Sequence, residues 1–218
     1  YDKVRHQHAN KKKTPLWPLA KARANATPVD FAAHPPVVPR ALGRRVFKNF
    51  DLAEIARYID WGPFFQTWDL AGPYPAILDD EIVGEEARKV LADGQAMLKK
   101  IIEGRWLTAN GVMALYPANR VGDDIVFYSD ESRTVELMTW YGMRQQTEKQ
   151  VIDGLMRPSR CLSDFVATKE SGIADYAGLF AVTAGIGAEK KDKEFQDALD
   201  DYSGIMFKAL ADRLAEAF

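Results

Sequence analysis

From Ile82 to Ile102 the apolar residues Val83, Ala87, Val90, Leu91, Met97, Leu98, Ile101 and Ile102 recur at steps of three and four, which places them on one face of a single long helix. Gly104 stands where that helix can stop. A helix with one apolar face must bury it, and the residues that follow are of a different kind. Gly111–Tyr116, Asp124–Tyr128, Arg133–Thr139 and Tyr176–Thr183 are short runs rich in β-branched and aromatic residues, separated by turn-forming Asn119, Gly122-Asp123-Asp124 and Ser129-Asp130. Connections this short favour antiparallel pairing. Lys193–Phe218 is again helical, with Phe195, Leu199, Tyr202, Met206, Ala209 and Ala217 near one face. The expected fold class is therefore α+β, a twisted antiparallel sheet flanked by long helices. The last helical pattern has no stop signal, and the chain begins at Tyr1 without Met, so the sequence reads as a fragment truncated at its C-terminus.

The N-terminal part is organised differently. Residues 1–45 hold ten Lys/Arg against Asp2 and Asp30, a charge of +8, which leaves −10 for the remainder of a chain whose net charge is −2. Pro15, Pro18, Pro28, Pro35, Pro36 and Pro39 interrupt helices in this stretch, while Trp17, Leu19, Phe31, Val37 and Val38 can pin it to a surface. A basic arm beside an acidic body suits nucleic acid, an acidic protein or a solvated linker. With no interleaved aromatics for base stacking beyond Trp17, the linker reading is preferred and no nucleic-acid partner is expected. The domain reading is an arm over 1–45 and a folded body over 46–218. The body opens at Asp51-Leu52-Ala53-Glu54, an N-cap residue with an acid three positions on, which predicts a helix through about Tyr58. Asp60-Trp61-Gly62-Pro63-Phe64-Phe65 then predicts a turn that buries its rings.

Several chemistries are excluded by residue type. No apolar run is long enough to span a membrane, and no signal peptide is present. A single Cys161 forms no internal disulfide, in keeping with a reducing cytoplasm. His6, His8 and His34 all precede residue 45, so the body has no histidine base for a Ser-His-Asp or Cys-His site. His6 and His8 diverge on a helix and have no acidic partner for a metal. Gly185-Ile186-Gly187 lacks the third glycine of a dinucleotide turn, because Lys190 occupies its place. Asp123 and Asp124 are adjacent acids that point apart in a strand, so they read as turn caps before they read as a divalent-ion site. Asp79-Asp80-Glu81 serves the N-terminus of the long helix. Two carboxylates remain. Asp60 stands among Ile59, Trp61, Phe64, Phe65 and Trp68, either as a turn cap or as a functional acid, and Glu216 lies on the rim of the last helix's apolar stripe.

With these residues in place, a family becomes recognisable. Tyr58-Ile59-Asp60-Trp61-Gly62-Pro63-Phe64-Phe65, Leu115–Asp124, Arg144-Gln145-Gln146-Thr147-Glu148-Lys149, Leu162-Ser163-Asp164-Phe165-Val166-Ala167 and Lys208–Phe218 resemble the C-terminal reactivation domain of cobalamin-dependent methionine synthase. The resemblance runs from the arm to the last residue.

It implies a domain that presents S-adenosylmethionine to cobalamin held by another domain of the same polypeptide. A flavodoxin-type reductase supplies the electron. Carried over by position, Asp60 and Glu216 are the S-adenosylmethionine-binding acids, and carboxylates suit the ligand's sulfonium and ammonium cations. No catalytic side chain and no protein-bound metal are expected, since the donor is already activated and the cobalt is the nucleophile. The family's Arg-x-x-x-Gly-Tyr element does not occur in the 218 residues, so the chain is expected to bind the ligand weakly or not at all. Two alternatives stand beside this reading. One is a docking module that caps the cobalamin domain and recruits the reductase; the other is an enzyme with an Asp123/Asp124 metal site.

Overall fold

A computed structural model describes residues 1–9 and 15–218, with side chains described for 1–5 and from residue 15 onward. The reading of His6 and His8, and the placement of Lys11, Lys12 and Lys13, lie outside the described side chains. In chain order the helices and strands are α1 (Asp2–Ala9), α2 (Leu19–Ala24), β1 (Gly43–Phe50), α3 (Leu52–Ile55), α4 (Gly62–Gln66), α5 (Gly84–Glu103), β2 (Thr108–Val121), β3 (Asp124–Tyr128), β4 (Glu136–Trp140), β5 (Val151–Ile152), β6 (Leu155–Met156), β7 (Asp175–Ile186), α6 (Ala188–Asp197) and α7 (Asp201–Ala217). The fold is α+β, and β2 has β1, β3 and β7 as hydrogen-bonded neighbours. Contacts divide the chain into two units, Tyr1–Gly43 with Ala114–Gly178, and Arg44–Met113 with Leu179–Phe218.

In the first unit, β3 is antiparallel to both of its neighbours. Ala118, Asn119, Arg120 and Val121 of β2 face Phe127, Val126, Ile125 and Asp124, and Ile125, Val126 and Phe127 in turn face Trp140, Thr139 and Met138 of β4. The apolar cluster here is small, with Ala118, Ile125, Phe127 and Val166 at its centre. The N-terminal segment is bonded into this unit. Trp17 N–H donates to the Gln146 carbonyl at 2.7 Å, Glu148 N–H to the Pro15 carbonyl at 2.9 Å, and Ser159 N–H to the Asn25 carbonyl at 2.7 Å. One helix was not expected there. The short α2 fits between prolines because Pro18 sits at its N-cap, where a missing N–H costs nothing, and none lies inside Leu19–Ala24.

The second unit holds the large core. Gly84–Glu103 is the long helix, and its buried residues Ala87, Val90, Leu91, Met97, Leu98 and Ile101 follow the expected spacing. The turn that leads into it is held by Asp80, whose Oδ1 accepts from the N–H groups of Ile82 and Val83 at 2.8 and 2.9 Å, while Val83 stands at the N-cap without a side-chain cap bond. The same device opens α3, where Asp51 Oδ1 accepts from Ala53 N–H at 2.9 Å; the chain then tightens into a 3-10 turn over Ala56–Tyr58. Phe64 and Phe65 of α4 are fully buried, as are Met206, Phe207, Leu210 and Leu214 of α7. The C-terminal segment is two helices rather than one. Leu199 adopts φ 55° and Asp200 caps a new start by accepting from Ser203 N–H at 3.1 Å, so the periodicity breaks between Asp197 and Asp201.

Phe64 reaches α5 at Gly94, where an added Cβ would lie 2.6 Å from Phe64 Cζ. That ring is wedged edge-on between Trp61 and Phe65, with centroids 5.1 and 5.8 Å away, and has little room to move. Alanine gains about 1 kcal/mol over glycine in a helix interior, whereas overpacking a filled core costs roughly 1–3 kcal/mol. We expect Gly94→Ala to lower stability by about 1 kcal/mol, and Phe64→Ala, which opens a cavity, by about 3–5 kcal/mol. Urea unfolding followed by circular dichroism checks both. A more stable Gly94→Ala protein would show that the Phe64 ring yields.

Candidate functional site

Both acids singled out in the sequence belong to the second unit. Asp60 lies in the turn between the 3-10 segment Ala56–Tyr58 and α4, and its side chain is exposed. Its Oδ1 accepts from Gly62 N–H at 2.8 Å, a side-chain turn that prepares the chain for Pro63 at the start of α4. The turn-cap reading is therefore observed. Oδ2 makes no hydrogen bond to a described residue, so half of the carboxylate faces solvent with acceptor capacity to spare.

Glu216 is exposed in the last turn of α7 and pairs with Arg213 one turn earlier. The elements on either side of Asp60, the 3-10 turn and α4, both pack against α7. A cavity of about 340 Å³ opens in this unit, walled by Phe47, Phe50, Glu54, Tyr58, Ala217 and Phe218 among others. Phe50 stacks on Phe218 with centroids 4.9 Å apart. Neither Asp60 nor Glu216 lines the cavity. Tyr58 and Ala217, their near neighbours in sequence, do.

The strongest electrostatic feature lies in the first unit. Arg144 is 8% exposed and each of its five N–H bonds has an acceptor. Nε and Nη2 donate to Asp123 Oδ1 at 2.9 and 2.7 Å, Nη2 also to Asp164 Oδ1 at 2.6 Å, and Nη1 to Asp164 Oδ2 at 2.9 Å and the Ser159 carbonyl at 2.7 Å. Asp164 is 1% exposed and also accepts from Cys161 and Thr27 N–H and from Arg120 Nη1. Arg23 closes the set by donating to Asp123 Oδ2 at 2.8 Å. Burial pushes both carboxyl groups up. Hydrogen bonds from Arg144, with those from Arg23 to Asp123 and from backbone N–H groups to Asp164, outweigh it and hold both below the usual carboxylate range.

These residues correct one expectation and locate others. Asp123 is not a turn cap but a buried partner of two arginines, because its neighbour Gly142 lets the chains meet: a Cβ there would lie 1.8 Å from the Asp123 carbonyl oxygen. Asp124 points the other way and accepts from Gly142 N–H at 2.9 Å. Among the described residues no group of three or more His, Cys, Asp or Glu side chains could hold a metal ion. Gly187 is the left-handed cap of α6 at φ 102°. No described helix is long and apolar enough to cross a membrane. Arg120, Arg144 and Asp164 all fall in the tracts that carried the resemblance, but nothing local in those tracts showed that the three would converge.

Comparison with known proteins places this geometry. Residues 51–218 match the vitamin B12 dependent methionine synthase activation domain. A crystal structure of the MetH reactivation domain bound to AdoHcy is similar to this chain with 47% identity and a TM-score of 0.84, over 94% of this chain and 61% of that one.

The Arg144 cluster generates a prediction with a sign. A carboxyl group whose pKa is depressed in the folded state contributes stability above its unfolded value, about 3.9, and that contribution is lost as pH falls through the folded value. Stability should thus drop below about pH 4. Arg144→Met leaves two buried carboxylates short of a cation, which we expect to cost about 3–5 kcal/mol at neutral pH and to remove much of the acid dependence. Urea midpoints measured between pH 3 and pH 7 test this; parallel pH profiles for the two proteins would disprove it.

Proposed function

Because the chain belongs to the activation-domain family of vitamin B12-dependent methionine synthase, we propose that it serves that enzyme as its reactivation module, binding S-adenosylmethionine on the second unit through Asp60 and Glu216. The observation that carries this reading is the likeness, at 47% identity over 94% of the chain, to a reactivation domain bound to AdoHcy. Within this chain the support is chemical. Asp60 keeps one carboxylate oxygen free, Glu216 is exposed, and the elements flanking Asp60 pack on the helix that bears Glu216. Asp60 can receive a sulfonium or an ammonium group on its free oxygen, and Glu216 on the oxygen it does not give to Arg213. The aromatic walls of the neighbouring cavity offer a flat, apolar surface to a heterocyclic base.

The donor supplies an already activated methyl group, and the reduced cobalt of cobalamin, held by another domain of the same polypeptide, is its acceptor. The side chains here bind and orient; no proton has to be taken from or given to the methyl group, and none of them is assigned a catalytic role. In that polypeptide residues 1–45 lead in from the cobalamin-binding domain and 46–218 form the body of the reactivation domain; the family match beginning at residue 51 supports this division, while the bonds of the N-terminal segment to residues 146–159 make the arm a packed part of the same module. A flavodoxin-type reductase is the proposed electron donor. A cytoplasmic location is supported by the single free Cys161.

Asp60→Asn is the informative substitution. An amide oxygen keeps the turn bond to Gly62 N–H while the charge is lost, so the fold survives and the ligand contact does not. In full-length methionine synthase we expect it to weaken S-adenosylmethionine binding by about tenfold or more and to slow reductive reactivation in step. Unchanged affinity and unchanged reactivation would favour the docking-module reading instead. Since Arg-x-x-x-Gly-Tyr does not occur in the 218 residues, calorimetry on this chain alone should show weak binding or none. Tight binding would refute that expectation.

A further inference from the structure

Met206, Leu210, Arg213 and Ala217 follow one another along α7 at steps of four, three and four, so an arginine occupies a position on the buried stripe of the helix. Met206 and Leu210 are buried there. The neighbouring charged residues of the helix, Lys208, Asp212 and Glu216, are exposed, whereas the Arg213 side chain is only 16% exposed. Its one acceptor among the described residues is Glu216, one turn further on.

Stability does not account for this arrangement. Taking a guanidinium out of water is costly, and a single carboxylate that is itself 58% exposed returns little, because an ion pair between helix neighbours contributes only weakly. An apolar side chain in the same place would stabilise the core more. What the pair does achieve is to fix the acid. A glutamate has three side-chain torsions and loses much freedom when a ligand orders it. Asp60 is spared that loss by its own turn, in which Gly62 N–H holds Oδ1. Glu216 has no such turn. Among the described residues its restraint is Arg213 Nη1 on Oε2, which leaves Oε1 open. Arg213 can serve as an anchor because its own side chain is mostly buried and so already ordered. Both acids then present one tied oxygen and one open oxygen.

We propose that Arg213 is a positioning residue of the methyl-donor site. It holds Glu216 in the orientation in which the open oxygen meets a cationic group of the ligand, so that the side chain is ordered on folding rather than on binding. This inference rests on the reading of Glu216 as a ligand contact.

The test is calorimetry of S-adenosylmethionine binding to full-length methionine synthase carrying Arg213→Met, Glu216→Gln or both. Glu216→Gln should weaken binding by about tenfold, and Arg213→Met by about fivefold. In the double variant the loss should be no greater than in Glu216→Gln alone, since Arg213 acts only through that carboxylate. Arg213→Lys, which restores a cation, should bring binding back to within about threefold of the unaltered enzyme. The thermal midpoint of Arg213→Met should stay the same or rise, as it commonly does when an apolar side chain replaces a buried ion pair, which separates lost affinity from lost fold. If that variant does not fold, Arg213→Gln takes its place with the same expectation for binding. Unaltered binding by the Arg213 variants beside a weakened Glu216→Gln enzyme, or losses that multiply in the double variant, would overturn the positioning role. Unaltered binding by Glu216→Gln would instead overturn the placement of Glu216 at the ligand, and the inference with it.

Discussion

A single guanidinium organises the first unit. Arg144 is buried against Asp123 and Asp164 with all five donors used, and each carboxylate it neutralises reaches further, Asp123 to Arg23 and Asp164 to Thr27, Cys161 and Arg120. Among the described residues the apolar cluster of this unit has four buried members. Burial of two carboxylates and an arginine is costly, and it is tolerated because every oxygen of the two carboxylates accepts from an arginine, with backbone N–H groups adding to Asp164. What the network contributes is register. It ties the N-terminal segment, through Arg23 and Thr27, to the β2–β3 turn and to the 3-10 turn at Leu162–Phe165, each by bonds with a defined direction. A purely apolar surface would let those segments slide.

The second unit is built on the opposite principle. Its core is a continuous set of apolar side chains from α3, α4, α5 and α7, and its carboxylates serve as caps at the surface rather than as buried partners. Asp51, Asp60, Asp80 and Asp200 each accept from one or more N–H groups a few residues on. A capping acid is held in one orientation by a single oxygen, and the other stays available. This is why Asp60 can be at once a turn residue and a candidate ligand contact. The two roles use different atoms.

How much of this was legible in the sequence depended on the range of the interaction. The long helix was, because Ala87, Val90, Leu91 and Met97 repeat within a few residues; so was β3, whose observed limits Asp124–Tyr128 are those read from composition. The Asp80 turn that leads into this helix was legible for the same reason. β1 was not, because Arg44, Arg45 and Lys48 give it the look of a charged linker, and its outer face is exposed. The break at Leu199 was hidden too. Leucine gives no warning of a left-handed backbone, and the new start depends on the Asp200 side chain. Asp123 was misread because its partner Arg144 lies 21 residues away and Asp164 meets the same guanidinium from 20 residues on the other side. Local pattern carries no signal for a contact between strangers in sequence.

The exposure of the candidate acids follows from the task we propose for them. A methyl donor that must reach a metal held by another domain cannot be enclosed by its own binding domain, since closing the pocket would remove the reacting atom from its acceptor. The site must then be open, and an open site in water gains little from Coulomb attraction alone. Orientation has to supply what burial does not. A carboxylate fixed by its own turn, on an element packed against a well-buried helix, loses little freedom when a ligand arrives, so less of the binding energy is spent on ordering it. The apolar core beneath Asp60 and Glu216 is in this sense part of the proposed site.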